Sequence, residues 1–100
     1  MSYSLAFKKS ALKEWRKLSP TIRDQFKKKL QQRLEQPHVA SAAIRGARDI
    51  YKIKLRRSGY RLVYSVDDKT ITVTVIAAGK RDRNTIYRVA LTRLEQPDFD

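Results

Sequence analysis

Cysteine is absent from this 100-residue chain, which removes disulfide staples, thiolate metal sites and a cysteine nucleophile together. Histidine occurs once, as His38 beside Pro37, so no histidine pair can form and His38 is not assigned to catalysis. Acidic residues are scarce, 10 against 23 Lys and Arg. Glu14, Asp24 and Glu35 fall in stretches of helical period that need their own polar faces, and Asp67 and Asp68 share a turn, where local hydrogen bonding is their usual job. A carboxylate metal cluster would need oxygens gathered from several places, so neither a metal nor any other cofactor is expected. Long apolar runs are missing as well. None approaches the ~18 residues of a membrane span, and the opening MSYSLAFKKSALKEW has no apolar stretch ending in a small-residue cleavage site. The expectation is a cytoplasmic protein with no membrane partner.

What the chain has in excess is positive charge. A formal net charge of +13 and a pI near 10.4 favour a polyanionic partner, nucleic acid first and an acidic protein second. The length suits one domain spanning 1–100. Tyr3, Leu5 and Phe7 alternate as in a short strand. Ser10 is placed to cap a helix bearing Leu12, Trp15 and Leu18, and Ser19-Pro20 restarts the chain as N-cap and first helical residue. Ile22, Phe26, Leu30 and Leu34 give the second helix its apolar stripe, which stops at Gln36 before Pro37. Residues 37–48 lack a sustained period and read as a loop with room for a helical turn, Gly46 supplying a positive φ. Strand alternation follows: Tyr51, Ile53 and Leu55; Tyr60, Leu62, Tyr64 and Val66; Ile71, Val73, Val75 and Ala77. Ser58-Gly59 and Asp67-Asp68-Lys69 are the turns between them. After Gly79 the helical period returns with Ile86, Val89, Ala90 and Leu94. RLEQP occurs at 33–37 and again at 93–97, a shared helix stop rather than a duplication, since the flanks differ. The fold class expected is α+β, a small antiparallel sheet with helices packed on one face, in the order β-α-α-β-β-β-α.

Residues 51–64, YKIKLRRSGYRLVY, alternate like a hairpin yet carry Lys52, Lys54, Arg56, Arg57 and Arg61 with no acidic residue. Like charges facing each other across a hairpin destabilise it. A loop of two or four residues centred on Ser58 and Gly59 sets Arg56 opposite Arg61 and Lys54 opposite Val63. Alternation then gathers Lys52, Lys54, Arg56 and Arg61 on one face and Tyr51, Ile53, Leu55, Leu62 and Tyr64 on the other, an arrangement that a one-residue slip would undo. Helical runs such as Lys27-Lys28-Lys29 read instead as solvated faces. Lysines crowded among arginines have their cationic form disfavoured, which brings them toward proton exchange. Arginine offers phosphate oxygens a planar, permanently charged fork, able to stabilise a pentavalent centre without metal.

ALKEWRKL (11–18), KKKL (27–30), YKIKLR (51–56), SGYRLVY (58–64) and GKR (79–81) resemble the RelE family of bacterial toxins, and the likeness extends from residue 3 to about residue 94. The resemblance implies a ribosome-dependent endoribonuclease that cuts messenger RNA in the ribosomal A site, beside 16S rRNA, and is restrained by a RelB-like antitoxin. It implies catalytic parts for Lys52, Lys54, Arg61, Arg81 and Tyr87. Lys52 and Lys54 would withdraw the ribose 2′-hydroxyl proton, leaving a 2′,3′-cyclic phosphate; Arg61 would hold the phosphate charge, Arg81 would assist the leaving 5′-oxygen, and Tyr87 would stack on a base. Arg45 and Arg56 would bind RNA. Arg81 and Tyr87 rest on the resemblance alone, and both the 37–48 loop and the tail LEQPDFD depart from the family pattern. An alternative of another class is a non-enzymatic toxin like the ParE relatives, which share this fold and inhibit DNA gyrase; such a binder has no need of crowded strand cations.

Overall fold

A first strand β1 (Ser4–Phe7) leads into helices α1 (Lys9–Lys17) and α2 (Pro20–Glu35), then strands β2 (Ile50–Leu55), β3 (Tyr60–Asp67) and β4 (Thr72–Lys80), and finally α3 (Thr85–Leu94), in a computed structural model that describes residues 2–80 and 85–95. Class and element order are those expected. The sheet runs β1-β4-β3-β2, with β2, β3 and β4 forming the antiparallel meander and β1 lying parallel to β4. The sheet is therefore mixed. No tight turn joins β1 to its neighbour, so the antiparallel direction that a hairpin imposes does not apply to it.

Helix ends follow local chemistry. Ser19 caps α2, its Oγ accepting from the Ile22 amide at 3.4 Å, with Pro20 as first residue, and the helix closes at Gln36 before Pro37. Ser10, expected to cap α1, instead lies inside its first turn, because the Lys8 amide donates to Val75 O at 3.0 Å and carries strand pairing right up to the helix. The 37–48 connection holds a short 3-10 turn (Ala40–Ala42), and Gly46 has φ 77°. The C-terminal copy of RLEQP extends past residue 95, outside the described residues.

Both sheet faces are covered. Leu18, Phe26 and Leu30 pack with Ile53, Leu62, Tyr64 and Val75 on one face. On the other, Ile86 and Ala90 of α3 meet Ile50, Val63, Ile76 and Ala77. Helices on one face thus describes α1 and α2, while α3 covers part of the opposite face. A β-bulge makes this second patch. Val63 pairs with Ala77 and Tyr64 with Val75, leaving Ile76 as the extra residue. Ile76 and Ala77 both turn toward α3, and Ala78 rejoins the first face. The expected stripe Ile71, Val73, Val75, Ala77 therefore holds for Val73 and Val75; Ala77 has changed sides, and Ile71 lies exposed before β4 at φ 52°.

Phe26 has no exposed surface and sits beside Trp15, with ring centroids 6.4 Å apart. Phe26→Ala is expected to cost about 3–5 kcal/mol, read as a lower urea midpoint with unchanged slope.

Candidate active site

The β2–β3 loop sets the register on which the site depends. It has four residues, 56–59, closed by the Gly59 amide donating to Leu55 O at 2.9 Å and the Tyr60 amide donating to Ser58 Oγ at 3.3 Å. Gly59, at φ 76°, takes the left-handed conformation at the end of the loop rather than at its centre. Lys54 consequently faces Arg61 and Lys52 faces Val63. The expected pairing, Arg56 with Arg61 and Lys54 with Val63, is displaced by two residues. An even displacement preserves the faces, so Lys52, Lys54 and Arg61 share the side of Val63, opposite Ile53, Leu55, Leu62 and Tyr64. Arg56 leaves the strand for the loop.

Helix α3 lays Tyr87 across this cationic face. Lys52 Nζ lies 5.6 Å and Arg61 Cζ 5.7 Å from its ring centroid, close enough for both cations to be held by the ring's quadrupole. Lys52 and Arg61 are diagonal neighbours on adjacent strands, a spacing that one aromatic ring can span. The Tyr87 hydroxyl is buried with no hydrogen-bond partner among the described residues. Burial raises its pKa, and the neighbouring Arg61 guanidinium works against the rise. Arg45, Lys52, Tyr87, Arg88 and Leu91 line a cleft of about 550 Å³. Arg88 and Leu91 were not singled out in the sequence; their signal was proximity to Tyr87 on one helix.

Lys54 is exposed, and its pKa is lowered by the neighbouring charge of Lys52 first, then by desolvation, Arg61 and Arg56. Among the described residues no carboxylate lies within ion-pair distance of Lys52 or Lys54. Lys54 also borders a second groove of about 590 Å³, shared with Arg56, Arg57, Lys28 and Lys29. Of the residues singled out in the sequence, Lys52, Tyr87 and Arg45 thus line the first cleft, and Arg61 lies against the Tyr87 ring. Lys54 shares their sheet face, Arg56 belongs to the second groove, and Arg81 lies outside the described residues.

Beneath β2, Arg33 Nη1 donates to the Tyr64 hydroxyl at 2.8 Å and to Lys52 O at 3.2 Å, while Tyr64 donates to Pro37 O at 2.8 Å. Burial raises the Tyr64 pKa, opposed by the hydrogen bond from Arg33. These bonds fix the backbone under Lys52 to the start of the 37–48 loop that carries Arg45. His38 extends the same support, its Nδ1 2.8 Å from the Tyr51 hydroxyl and its Nε2 2.8 Å from Asp68 Oδ1, which also accepts from the Tyr3 hydroxyl at 2.7 Å. The hydrogen bonds from His38 first, then Tyr3, hold the Asp68 carboxyl below its ordinary 3.8. A carboxyl depressed by folding stabilises the native state above its ordinary pKa, and that contribution is lost as pH falls through the lower folded value. Asp68→Asn is therefore expected to lower the melting temperature near neutral pH and to cost progressively less on acidification below about pH 4. A penalty independent of pH in thermal melts would remove the carboxylate's charge from this account.

A small α+β domain whose sheet face carries clustered lysine and arginine under a helix-borne tyrosine belongs by its chemistry to the basic domains that address polyanions. Residues 5–85 match the family described as ParE toxin of type II toxin-antitoxin system. The chain is 53% identical over 94 residues to the mRNA interferase toxin RelE of Escherichia coli K12, covering 94% of this chain and 99% of that protein. It is 49% identical, with the same coverage, to a putative RelE-like toxin protein of Escherichia coli. Among solved structures, a substituted E. coli RelE in the free state superposes with a TM-score of 0.86 at 51% identity, covering 94% of this chain and 99% of that one. The toxin in the intact E. coli RelBE toxin-antitoxin complex gives 0.79 at 55% identity, covering 82% and 100%. The chain belongs to the RelE/ParE family of type II toxin-antitoxin toxins.

Proposed function

We propose that this protein is the toxin of a type II toxin-antitoxin system and acts as an mRNA interferase, a ribosome-dependent endoribonuclease that needs no metal. One observation carries this reading: Lys52, Lys54 and Arg61 converge on one sheet face, with Tyr87 held over two of them. The 53% identity to a protein named as an mRNA interferase toxin supports it.

Lys54, made less basic by its cationic neighbours, accepts the ribose 2′-hydroxyl proton with help from Lys52. The 2′-oxygen then bonds to the adjacent phosphorus as the phosphorus–5′-oxygen bond breaks, the leaving oxygen takes a proton from water, and the products are a 2′,3′-cyclic phosphate and a 5′-hydroxyl. Arg61 holds the non-bridging oxygens as charge builds on them. Arg81 assists the leaving oxygen, and Tyr87 stacks on a base, a contact typically worth about 1 to 3 kcal/mol. Arg45 in the cleft wall and Arg56 in the second groove follow the RNA backbone. The substrate is message in the A site of a cytoplasmic ribosome, against 16S rRNA. The restraining partner is a RelB-like antitoxin, whose acidic or amphipathic segment suits so cationic a surface. No described helix is long and apolar enough to cross a membrane.

The family's ParE description motivates the second reading, a toxin that binds DNA gyrase without cutting RNA. Toeprinting on ribosomes programmed with message, with purified protein in chelator, decides between them. Cleavage within the A-site codon is the expected result; intact message alongside accumulated gyrase cleavage complexes on supercoiled DNA would sink the RNA reading.

A further inference from the structure

Strand β1 ends at Phe7, opposite Val75, while β4 continues to Lys80. Past Val75 the outer edge of β4 presents the Ile76 carbonyl and the Ala78 amide, both on buried residues. A parallel strand continuing there would donate one N–H to Ile76 O and accept the Ala78 N–H at the following carbonyl. Two side chains supply that donor and that acceptor instead. Arg93 Nη1 of α3 donates to Ile76 O at 2.9 Å, and Glu14 Oε1 of α1 accepts from Ala78 N at 3.1 Å. The pair closes on itself through two further bonds, Nη1 to Oε1 at 2.8 Å and Nη2 to Oε2 at 3.0 Å. The clasp reaches around the sheet edge, from the helix on one face to the helix on the other.

We propose that Glu14 and Arg93 are positioning residues for RNA cleavage: their clasp replaces the missing length of β1 and fixes α3, and with it Tyr87, over the cationic face. The inference rests on the part given to Tyr87 above. Helix α3 buries only Ile86 and Ala90 fully among its described residues, so an anchor near its C-terminal end has real leverage. Arg93 follows Tyr87 by six residues, less than two turns, and a lift there tilts the ring away from Lys52 and Arg61. Polarity is what the geometry demands, an acceptor at 14 facing an N–H and a donor at 93 facing a C=O. An ion pair of either orientation would not serve.

That demand supplies the test, using the full chain on programmed ribosomes and amide exchange across α3. Glu14→Leu and Arg93→Leu are expected to slow single-turnover cleavage on the order of a hundredfold, with an unchanged half-saturating ribosome concentration and faster exchange in α3. Glu14→Gln keeps an oxygen for Ala78 N–H and retains most of the rate. The exchanged double variant, Glu14→Arg with Arg93→Glu, restores opposite charges but sets donor against donor and acceptor against acceptor, so it stays slow. Recovery of the rate in that double variant overturns the proposal, as does wild-type exchange of α3 in Glu14→Leu. Should the leucine variants fail to fold, Arg93→Gln decides: it stays polar but is too short to donate to Ile76 O and Glu14 together, and wild-type cleavage by it overturns the proposal. Tyr87→Ala is assayed alongside. If it cleaves normally, the part given to Tyr87 falls, and exchange in α3 alone then judges the clasp.

Discussion

Lys54→Ala is expected to slow cleavage of ribosome-bound message by about a hundred to ten thousandfold, the usual contribution of a positioned proton-transfer group. The environment explains why this lysine and not a helix lysine carries the effect. Lys52, Arg61 and Arg56 all disfavour its cation, and its pKa is lowered accordingly. Only the neutral amine can accept the 2′-hydroxyl proton, so the rate should climb with pH and level off above the Lys54 pKa. A lowered pKa moves that climb to lower pH than an isolated lysine would give, and Arg56→Gln, by removing one of the depressing charges, should move it back upward. Lys54→Arg is the sharper control, because arginine keeps the charge and cannot give up its proton. It should be as slow as alanine. A Lys54→Arg protein that cleaves at the wild-type rate would leave Lys54 with an electrostatic part and no proton to move.

Arg61→Gln should cost on the order of a hundredfold or more, the usual loss when a donor aimed at developing charge is removed. Arg61 faces Lys54 directly across the β2–β3 ladder and lies against the Tyr87 ring, so it can reach a phosphate that Lys54 also addresses. The loss should fall on kcat, because the charge it meets is greatest in the transition state. An effect confined to the ribosome concentration needed for half-saturation would instead mark Arg61 as a contact of uniform binding strength. Lysine at 61 keeps the charge without the bidentate fork and should recover the rate only in part.

Much of this site could be read from periodicity. Alternation in YKIKLRRSGYRLVY placed Lys52, Lys54 and Arg61 together, and it survived an error of two residues in the loop because side chains repeat every two residues. Arg56 did not survive that error, since the same displacement moved it out of the strand. The absence of cysteine and the scarcity of carboxylates also narrow the chemistry open to the chain. What periodicity could not reveal was the bulge at Ile76. It adds one residue to β4 without any glycine or proline to announce it, and so turns Ala77 toward α3. Nor could local pattern show that α3 crosses to the face bearing the cations, because the last helix has apolar positions enough to pack on either side. Tyr87 therefore rests on family resemblance alone, and nothing in the local pattern sets Arg33, which secures the backbone of Lys52 from below, apart from the other cations of its helix.

Trp15, the only tryptophan in the chain, lies between Phe7 and Phe26, with ring centroids 5.4 and 6.4 Å away, on the sheet face away from Tyr87. Its fluorescence therefore reports chiefly α1, α2 and the layer beneath them, and senses the seating of α3 only at second hand, through the Arg93 contact to the adjoining Glu14. An unfolding curve followed by indole emission can look fully native while the helix over the cleft has come away, so spectroscopic proof that a variant is folded must also come from a probe placed on α3.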